Sequence, residues 1–195
     1  MRLTDREFRA MNGRVRRFFH RNVEFPLFRR LGLRQENLDI LEIGCGSGYG
    51  AVLLAKLRPR SYLGIDLMPE MIELARKQVD LPHCEFLAMD ASDMRDLADE
   101  SRDSVVTFGL FHHIPKWREV VNEAYRVLRN GGTMFLEEPE GWAVRLWDRV
   151  FKWEHSEEAM FSIRELEDYL TTVGFVVVKR LRLFGLGGLY CARKE

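Results

Sequence analysis

Short apolar runs alternate with segments of helical periodicity through the middle of the chain. Five runs have the length of buried strands: 38–43, 62–65, 85–89, 105–110 and 133–137. Three segments between them have the apolar spacing of helices: 51–57, 69–79 and 117–128. Pro69 suits a first helical turn, and the sequence RNGG at 129–132 predicts a glycine-type stop for the last of these helices. Strands that alternate with helices of this length form right-handed crossovers, so the pattern predicts a parallel α/β sheet.

The two ends of the chain follow other patterns. Near the N-terminus an amphipathic helix, interrupted near Pro26, is predicted from apolar side chains that recur at helical spacing: Phe8, Met11, Val15, Phe18 and Phe19. At the C-terminus a helix over 163–173 ends at Gly174, and strand-like runs follow over 175–183 and 189–194. The glycine-rich loop between these runs predicts a hairpin, so one of the last strands must run antiparallel.

A glycine-rich stretch, LEIGCGSGYG at residues 41–50, joins the first predicted strand to the first predicted helix. Glycine inside a regular element costs about 0.5–1 kcal/mol relative to alanine, so four glycines in seven residues require a reason. Ligands of open α/β sheets bind outside the carboxyl ends of the strands, where a loop without Cβ atoms can lie against them. The stretch therefore predicts a binding site. A dinucleotide spacing fits Gly46, Gly48 and Ala51, whereas the absence of a following Gly-Lys-Ser/Thr excludes a P-loop.

Asp66 ends the second predicted strand, 18 residues after Gly48. A carboxylate at this place can accept hydrogen bonds from both hydroxyl groups of a ribose. It can equally cap the helix that begins at Pro69. The two roles are compatible, and the spacing alone predicts a site of nucleoside size.

Five segments, taken in order, resemble the class I S-adenosylmethionine-dependent methyltransferases, in the small-molecule branch of the type-11 kind. They are LEIGCGSGYG, YLGIDLMPEMIELAR, FLAMDASDM, SVVTFGLFHHI and RVLRNGGTMFL, and together they cover residues 38–136. The resemblance implies a Rossmann-like, doubly wound α/β sheet that is mostly parallel, with an antiparallel C-terminal hairpin strand and helices on both faces. It also implies S-adenosyl-L-methionine as the cofactor and S-adenosyl-L-homocysteine as its product.

The resemblance further implies which residues hold the cofactor. The glycines approach its methionine part above Glu42, Asp66 holds the ribose, Asp90 meets the adenine amino group, and Gly109 offers backbone atoms near the sulfonium. The full implied set is Glu42, Gly44, Cys45, Gly46, Gly48, Asp66, Leu67, Asp90, Ala91, Gly109 and Leu110. Two positions depart from the family pattern: Met68 replaces a frequent Ser or Thr, and Asn130 replaces a frequent proline.

Candidate proton acceptors follow the fourth and fifth predicted strands: His112, His113, Glu137, Glu138 and Glu140. Methyl transfer from a sulfonium can rest on in-line positioning, and a base is required only when the acceptor must lose a proton. His112 and His113 are the catalytic candidates because an unperturbed imidazole titrates near neutrality. No metal is expected, since no pair of ligands at helical i, i+4 spacing supports one.

Two apolar segments bear on the acceptor. Residues 141–161, which include three tryptophans, are predicted to form an aromatic-rich helical segment after the fifth strand, and the phenylalanine-rich N-terminal helix supplies a second cover. A small, hydrophobic acceptor, such as a lipid-like, quinone-like or aromatic metabolite, suits such a cleft. The predicted partner is therefore a small molecule, nucleic acid is not expected, and the N-terminal helix can contact anionic lipid.

Composition places the chain as one domain of 195 residues with a sizeable core. Its predicted parts are a helical cap (1–34), a cofactor-binding core (35–137), an insertion (138–162) and a C-terminal helix and hairpin (163–195). Three separated cysteines, no membrane-length apolar run and a charged N-terminus favour a cytoplasmic protein.

Charge is balanced overall but not along the chain. The first 34 residues hold ten arginines and three carboxylates, a surplus of seven positive charges. An RNA methyltransferase that uses this arm on phosphates is therefore the alternative function, and a non-enzymatic cofactor-binding regulator is a weaker one. A solvated helix face that docks on the acidic remainder of the chain explains the same charges.

Overall fold

A seven-stranded sheet organises the computed structural model, which describes residues 13–151, 155–183 and 185–195. The strands are β1 (Asp39–Ile43), β2 (Ser61–Asp66), β3 (Cys84–Ala88), β4 (Arg102–Phe108), β5 (Leu128–Pro139), β6 (Phe175–Arg182) and β7 (Gly187–Lys194). Their order across the sheet is β3-β2-β1-β4-β5-β7-β6. The first five strands pair in parallel, and β7 pairs antiparallel with both β5 and β6. The predicted mixed sheet with an antiparallel hairpin is confirmed.

Seven α-helices accompany the sheet within the described part of the chain. They are α1 (Arg14–Phe19), α2 (Phe25–Leu31), α3 (Tyr49–Leu54), α4 (Pro69–Gln78), α5 (Trp117–Val127), α6 (Gly141–Phe151) and α7 (Ile163–Val173). Short 3₁₀ turns follow at Ala55–Leu57, Phe111–His113 and Glu157–Ala159. Gly174 ends α7 in the left-handed conformation at φ 111°, as predicted.

Two hydrophobic clusters cover the two faces of the sheet. On one face Leu41 and Ile43 pack with buried residues of α5 and α7, such as Val120 and Leu170. On the other face Ile40 packs with buried residues of α2, α3 and α4. Neighbouring strand residues thus enter opposite clusters, as strand geometry requires, and the predicted helices on both faces are confirmed.

The sheet order reverses direction between β1 and β4. From β1 the chain builds outward through β2 and β3, and it then returns to build the other side from β4. Ile43 pairs with Ile65 of β2 and with Thr107 of β4, so the three strands end at a common edge. This reversal is where open α/β sheets form a ligand crevice.

One predicted helix ending is wrong. Helix α5 ends at Val127, because Leu128 is already extended and pairs with Arg102 at the start of β5. Gly131 and Gly132 lie inside β5 and do not cap the helix. The fully buried Leu128 side chain joins the core of the sheet, and that pairing decides the boundary in place of the glycines.

The N-terminal segment is helical through Pro26, but its α-helical geometry is interrupted just before that residue, near the predicted place. A π-helical turn at His20–Glu24 joins α1 to α2, and Pro26 occupies the first turn of α2. Proline is favoured in a first α-helical turn because its fixed φ suits the helix. Phe8 and Met11 of the predicted apolar face lie outside the described residues. The assignment of residues 1–34 to a cap stays a prediction.

None of the helices in the described part of the chain combines the length and the apolar character needed to cross a membrane.

Candidate functional site

A cavity opens at the carboxyl edge of the sheet, above the ends of β1 and β4. The residues that follow four strands meet in it, and the N-terminal helix closes one side. Its wall comprises Arg16, His20, Glu42, Ile43, Gly44, Cys45, Gly46, Ser47, Tyr49, Gly50, Ile65, Asp66, Leu67, Met68, Met71, Met89, Asp90, Ala91, Phe108, Gly109, Leu110, His113 and Ile114. The sheet topology therefore gathers residues nearly a hundred positions apart into one site.

The loop after β1 approaches the cavity with bare backbone. Gly44 has φ 74°, and a Cβ there would come within 2.6 Å of the Leu110 side chain. Gly46 has φ 51°, and a Cβ there would meet nothing within 4 Å. The Gly44 and Cys45 amides both donate to the Ile65 carbonyl, at 2.8 and 3.0 Å, which fixes the loop to the end of β2. The loop thus presents bare backbone to the cavity at Gly44 and Gly46, and its hydrogen bonds to Ile65 hold it in place.

The other two glycines of the stretch serve packing. Among the described residues Gly48 is absent from the cavity wall, and a Cβ there would lie 2.9 Å from Val79 and 3.1 Å from Ala75. A Cβ at Gly50 would lie 2.1 Å from the carboxylate of Glu42. Gly48 therefore lets the loop approach α4, and Gly50 makes room for a buried acid.

That acid, Glu42, is the most unusual group of the site. Its side chain is fully enclosed, and the Tyr62 hydroxyl donates a 2.7 Å hydrogen bond to its Oε2. Burial raises the pKa of Glu42 to about 8, with the charge of Asp66 acting in the same direction. The carboxyl group therefore retains its proton at neutral pH.

Asp66 ties the loops after β1 and β2 together. Its Oδ2 accepts from the Gly46 amide and its Oδ1 accepts from the Met68 amide, both at 2.9 Å. Burial raises the pKa of Asp66, while these two amide bonds act in the opposite direction. Met68 is itself the N-cap residue of α4, and no side chain caps the helix there. Asp66 thus orders the turn before the helix and does not act as its cap.

The remaining cofactor candidates surround the same opening. Asp90 is exposed after β3, and its Oδ1 accepts from both the amide and the hydroxyl of Ser92. Gly109 has φ 60° after β4, and its amide donates to the Glu137 carbonyl at 3.0 Å. Leu67 and Ala91 lie on the cavity wall beside these groups.

The two histidines after β4 have different surroundings. His113 lines the cavity, whereas His112 is not among the described wall residues. The Nδ1 atom of His112 lies 2.9 Å from Oε2 of Glu138, whose Oε1 accepts from the Leu110 amide at 2.8 Å. Burial lowers the pKa of His112 to about 3. His112 is therefore a neutral side chain held behind the wall.

The sequence patterns missed Arg16 and His20, which close the cavity from the N-terminal helix. Arg16 donates to the Phe108 carbonyl at 3.1 Å and pairs with Glu24, and the His20 ring stacks on Phe108 with centroids 4.8 Å apart. Burial and the charge of Arg16 lower the pKa of His20 to about 3. The sequence does hold a signal for this polar face. The spacing of four residues places Arg16, His20 and Glu24 on one side of the helix.

The apolar side chains of α1 face outward instead. Val15, Phe18 and Phe19 are 71%, 61% and 48% exposed. For these described residues, the expectation that the apolar face of this helix covers the cleft is wrong. The inward face carries Arg16 and His20, which contact Phe108, and the buried Glu24, which pairs with Arg16.

A buried carboxyl pair lies behind Gly109. Burial raises the pKa of Glu24 to about 8 and that of Glu137 to about 7, and the neighbouring Arg16 opposes both shifts. A Cβ at Gly109 would lie 3.4 Å from Glu137 and 3.5 Å from Arg16. Glu137 of this pair therefore lies directly behind Gly109 of the cavity wall.

Comparison with known proteins agrees with this geometry. Residues 41–136 match a family described as "Methyltransferase domain". The chain is 37% identical to a phthiotriol/phenolphthiotriol dimycocerosates methyltransferase of Mycobacterium leprae over 59% of its own length and 41% of that protein. It is 33% identical to a fatty-acid O-methyltransferase of Mycolicibacterium smegmatis over 59% of its own length and 42% of that protein.

A solved structure shares the fold. A SAM-dependent methyltransferase of Methanosarcina mazei superimposes with a TM-score of 0.68 at 26% identity, over 87% of this chain and 97% of that one. The matches to the two mycobacterial relatives span about two fifths of the length of each.

Proposed function

We propose that this chain, which belongs to the class I S-adenosylmethionine-dependent methyltransferases, transfers a methyl group to O, N or C of a small hydrophobic acceptor. One observation carries the proposal. Ten of the eleven residues that the family resemblance implies for the cofactor line a single cavity, at the reversal point of the sheet. The exception is Gly48, which packs against α4.

The residues present fit S-adenosylmethionine. Gly46 offers open backbone where a side chain would intrude, and Asp66 and Asp90 place carboxylates on or beside the same wall. Met68 and Met89 add apolar surface between these two acids, of the kind that suits an adenine ring. The protonated Glu42 supports the loop from below without adding a negative charge.

When bound, S-adenosylmethionine supplies a methyl group on a sulfonium that is already a good leaving group. The protein's part is to hold the accepting atom in line with the methyl group, at about 3–3.5 Å. Positioning of this kind can remove a large part of the activation barrier. Gly109 and Leu110 form the wall at the end of β4 that separates the buried acids from the cavity. His113, on the same wall, is placed to receive a proton when the acceptor must lose one.

The hydrophobic acceptor is supported by the apolar part of the cavity wall at and after the end of β4. Phe108, Leu110 and Ile114 present apolar side chains there, and His20 stacks on Phe108 in an uncharged form. The two mycobacterial relatives are named for lipid substrates, which favours a lipid-like acceptor for this chain.

Cofactor binding is the direct test. Isothermal titration calorimetry is expected to show binding of S-adenosylhomocysteine, with NAD much weaker. Asp66→Ala removes a charged acceptor and two loop anchors, so affinity is expected to fall by about 1.5–3 kcal/mol, roughly 10- to 150-fold. Stronger binding of NAD would overturn the cofactor assignment. Unchanged affinity in a folded Asp66→Ala protein would show that Asp66 only orders the loops after β1 and β2.

Transfer is then assayed with labelled S-adenosylmethionine against fatty acids, phenols and quinols. Binding of the cofactor without methyl transfer to any acceptor would favour the alternative of a non-enzymatic cofactor-binding regulator. Tight, salt-sensitive binding of generic RNA would favour the RNA methyltransferase. The structure gives that alternative less support, because Arg16 and Arg17 are engaged internally with Glu24 and Gln78.

A further inference from the structure

Three histidines from distant parts of the chain converge beside the cavity. His112 and His113 belong to the turn after β4, and His155 follows α6 in the segment after β5. The ring centroids of His113 and His155 are 4.5 Å apart, and those of His112 and His155 are 5.4 Å apart. One ring nitrogen from each of the three histidines lies within 4.8 Å of the others. The fold thus brings three imidazole rings together, and no local sequence motif predicts this cluster.

Two of these rings are oriented by carboxylates. Nδ1 of His112 lies 2.9 Å from Glu138, and Nδ1 of His155 lies 2.5 Å from Asp148 of α6. Such pairing fixes the tautomer with hydrogen on Nδ1, so the lone pair of each ring is on Nε2. Metal-binding histidines are commonly held by a carboxylate in this way, and loss of that partner weakens metal binding about 10- to 100-fold.

We propose that His112, His113 and His155 bind a divalent ion of the zinc class, with Glu138 and Asp148 as orienting carboxylates. Imidazole nitrogens suit Zn²⁺, and three protein ligands leave a fourth tetrahedral position for water or an acceptor oxygen. Because His113 also lines the cavity, the ion lies at the cavity wall. The inference extends the proposed function, but the site can be tested without any methyl transfer.

Distances and charges are compatible with this assignment. Zn–N bonds of 2.0–2.1 Å place tetrahedral ligand nitrogens about 3.3 Å apart, so the three nitrogens close in by up to about 1.5 Å on binding. The side chains of His112 and His155 are only 12% and 2% exposed, which keeps competing water away. The carboxylates of Glu138 and Asp148 offset the charge of the ion, and the nearby cation Arg16 is paired with Glu24.

The experiment measures metal binding directly on the full chain without a histidine tag. Protein freed of metal with a chelator is titrated with Zn²⁺ against a competing dye, and bound metal is counted by mass spectrometry after dialysis. The protein is expected to bind one equivalent of Zn²⁺ per chain. Substitution by Co²⁺ is expected to give the visible absorption of a tetrahedral site, a signal that surface binding lacks.

Matched variants assign the ligands. His155→Ala is expected to abolish binding of the Zn²⁺ ion. Asp148→Asn is expected to weaken Zn²⁺ binding about 10- to 100-fold. His83→Asn is the control, because His83 is exposed at φ 60°, a conformation that asparagine tolerates. Circular dichroism verifies folding, and His155→Gln replaces His155→Ala if that variant does not fold. Less than a tenth of an equivalent of Zn²⁺ in the parent protein, or full occupancy in the folded His155 variant, would overturn the proposal.

Failure of the site and failure of the proposed function remain distinguishable. Titration with S-adenosylhomocysteine in the presence of chelator tests the cofactor site alone. If the ion assists transfer, chelation is expected to lower the rate at least tenfold and Zn²⁺ to restore it. If His113 acts only as a proton acceptor without a metal ion, chelator leaves the rate unchanged, and the zinc titration shows no binding at this site.

Discussion

At the residue scale, burial makes the charge of several acids around the site depend on pH. Burial raises the pKa values of Glu42, Glu24, Glu137 and Glu138 to about 7 or 8. Each of these groups lies on or behind the wall between the sheet and the cavity. A cofactor with a positively charged sulfonium can thus sit near four carboxyl groups whose charge depends on pH, and the stability of the fold depends on pH with them.

Glu42→Gln isolates one such group. The folded pKa of Glu42, about 8, exceeds the ordinary value of 4.5. Its contribution to stability is therefore complete below about pH 4.5 and is lost as pH rises through about 8. The free energy of unfolding of the parent is expected to fall over this window by up to about 1.4 kcal/mol per pH unit from this group, and less steeply in Glu42→Gln.

Urea unfolding between pH 5 and 8.5 measures this difference. Glutamine keeps an acceptor for the Tyr62 hydroxyl, so the hydrogen bond survives the change. Glu36→Gln, on an exposed side chain, supplies the baseline. Equal pH slopes in the parent and Glu42→Gln would show that Glu42 is ionised in the folded protein.

At the element scale, one loop and one helix build the cavity. The loop after β1 is held by amide bonds to Ile65 and Asp66, and the helix at residues 14–31 inserts Arg16 and His20. Helical spacing predicted the helix correctly for its described part, but not its rotation. That rotation follows from the burial of Glu24, a tertiary feature that recruits Arg16 and leaves Phe18 in solvent.

Gly44→Ala tests whether the loop after β1 must lack a side chain where it borders the cavity. Its φ of 74° is unfavourable for alanine, and the new Cβ would force Leu110 to move on the cavity wall. Gly131→Ala is the matched control, because φ is 78° there and a Cβ would meet nothing within 4 Å. Both changes are expected to destabilise the fold by about 1–2 kcal/mol.

Only Gly44→Ala is expected to reduce the affinity for S-adenosylhomocysteine, by at least tenfold in calorimetry. The comparison separates backbone strain, which the two variants share, from the displacement of Leu110. Equal affinities in both variants would show that the loop tolerates a side chain and that its glycines serve the turn alone.

At the scale of the whole molecule, an exposed apolar patch lies on the helix that closes the cavity. Val15 and Phe18 are among the most exposed large apolar side chains, and Arg14 and Arg21 are exposed on the same helical segment. Apolar and basic side chains presented together suit the surface of an anionic membrane. A protein whose acceptor is lipid-like gains from such contact, since its substrate resides there.

Vesicle flotation tests this contact. The protein is expected to float with vesicles rich in phosphatidylglycerol, more weakly with phosphatidylcholine, and less as salt increases. Phe18→Ser combined with Val15→Ser is expected to reduce the bound fraction at least threefold. Val176→Ser, on the 41% exposed Val176 of β6, is the control. Equal flotation of parent and double variant would assign lipid contact elsewhere.

Features that depend on neighbours in the chain were predicted correctly from local patterns. Alternating apolar runs specified the order of strands and helices, and clustered glycines marked the loop where backbone must turn with positive φ. The position of Asp66 at a strand end followed from the same local pattern. These predictions hold because strand and helix periodicity and glycine conformation are local properties.

Contacts between distant residues were not predictable from local patterns, because they depend on how the elements pack. Gly48 packs on α4 while Gly46 opens to the cavity, although the two are chemically identical. His155 joins His112 from 43 positions away, and Arg16 turns inward because Glu24 is buried. Such contacts depend on the order of strands in the sheet and on the rotation of packed helices. Long-range burial sets both, and no short stretch of sequence contains that information.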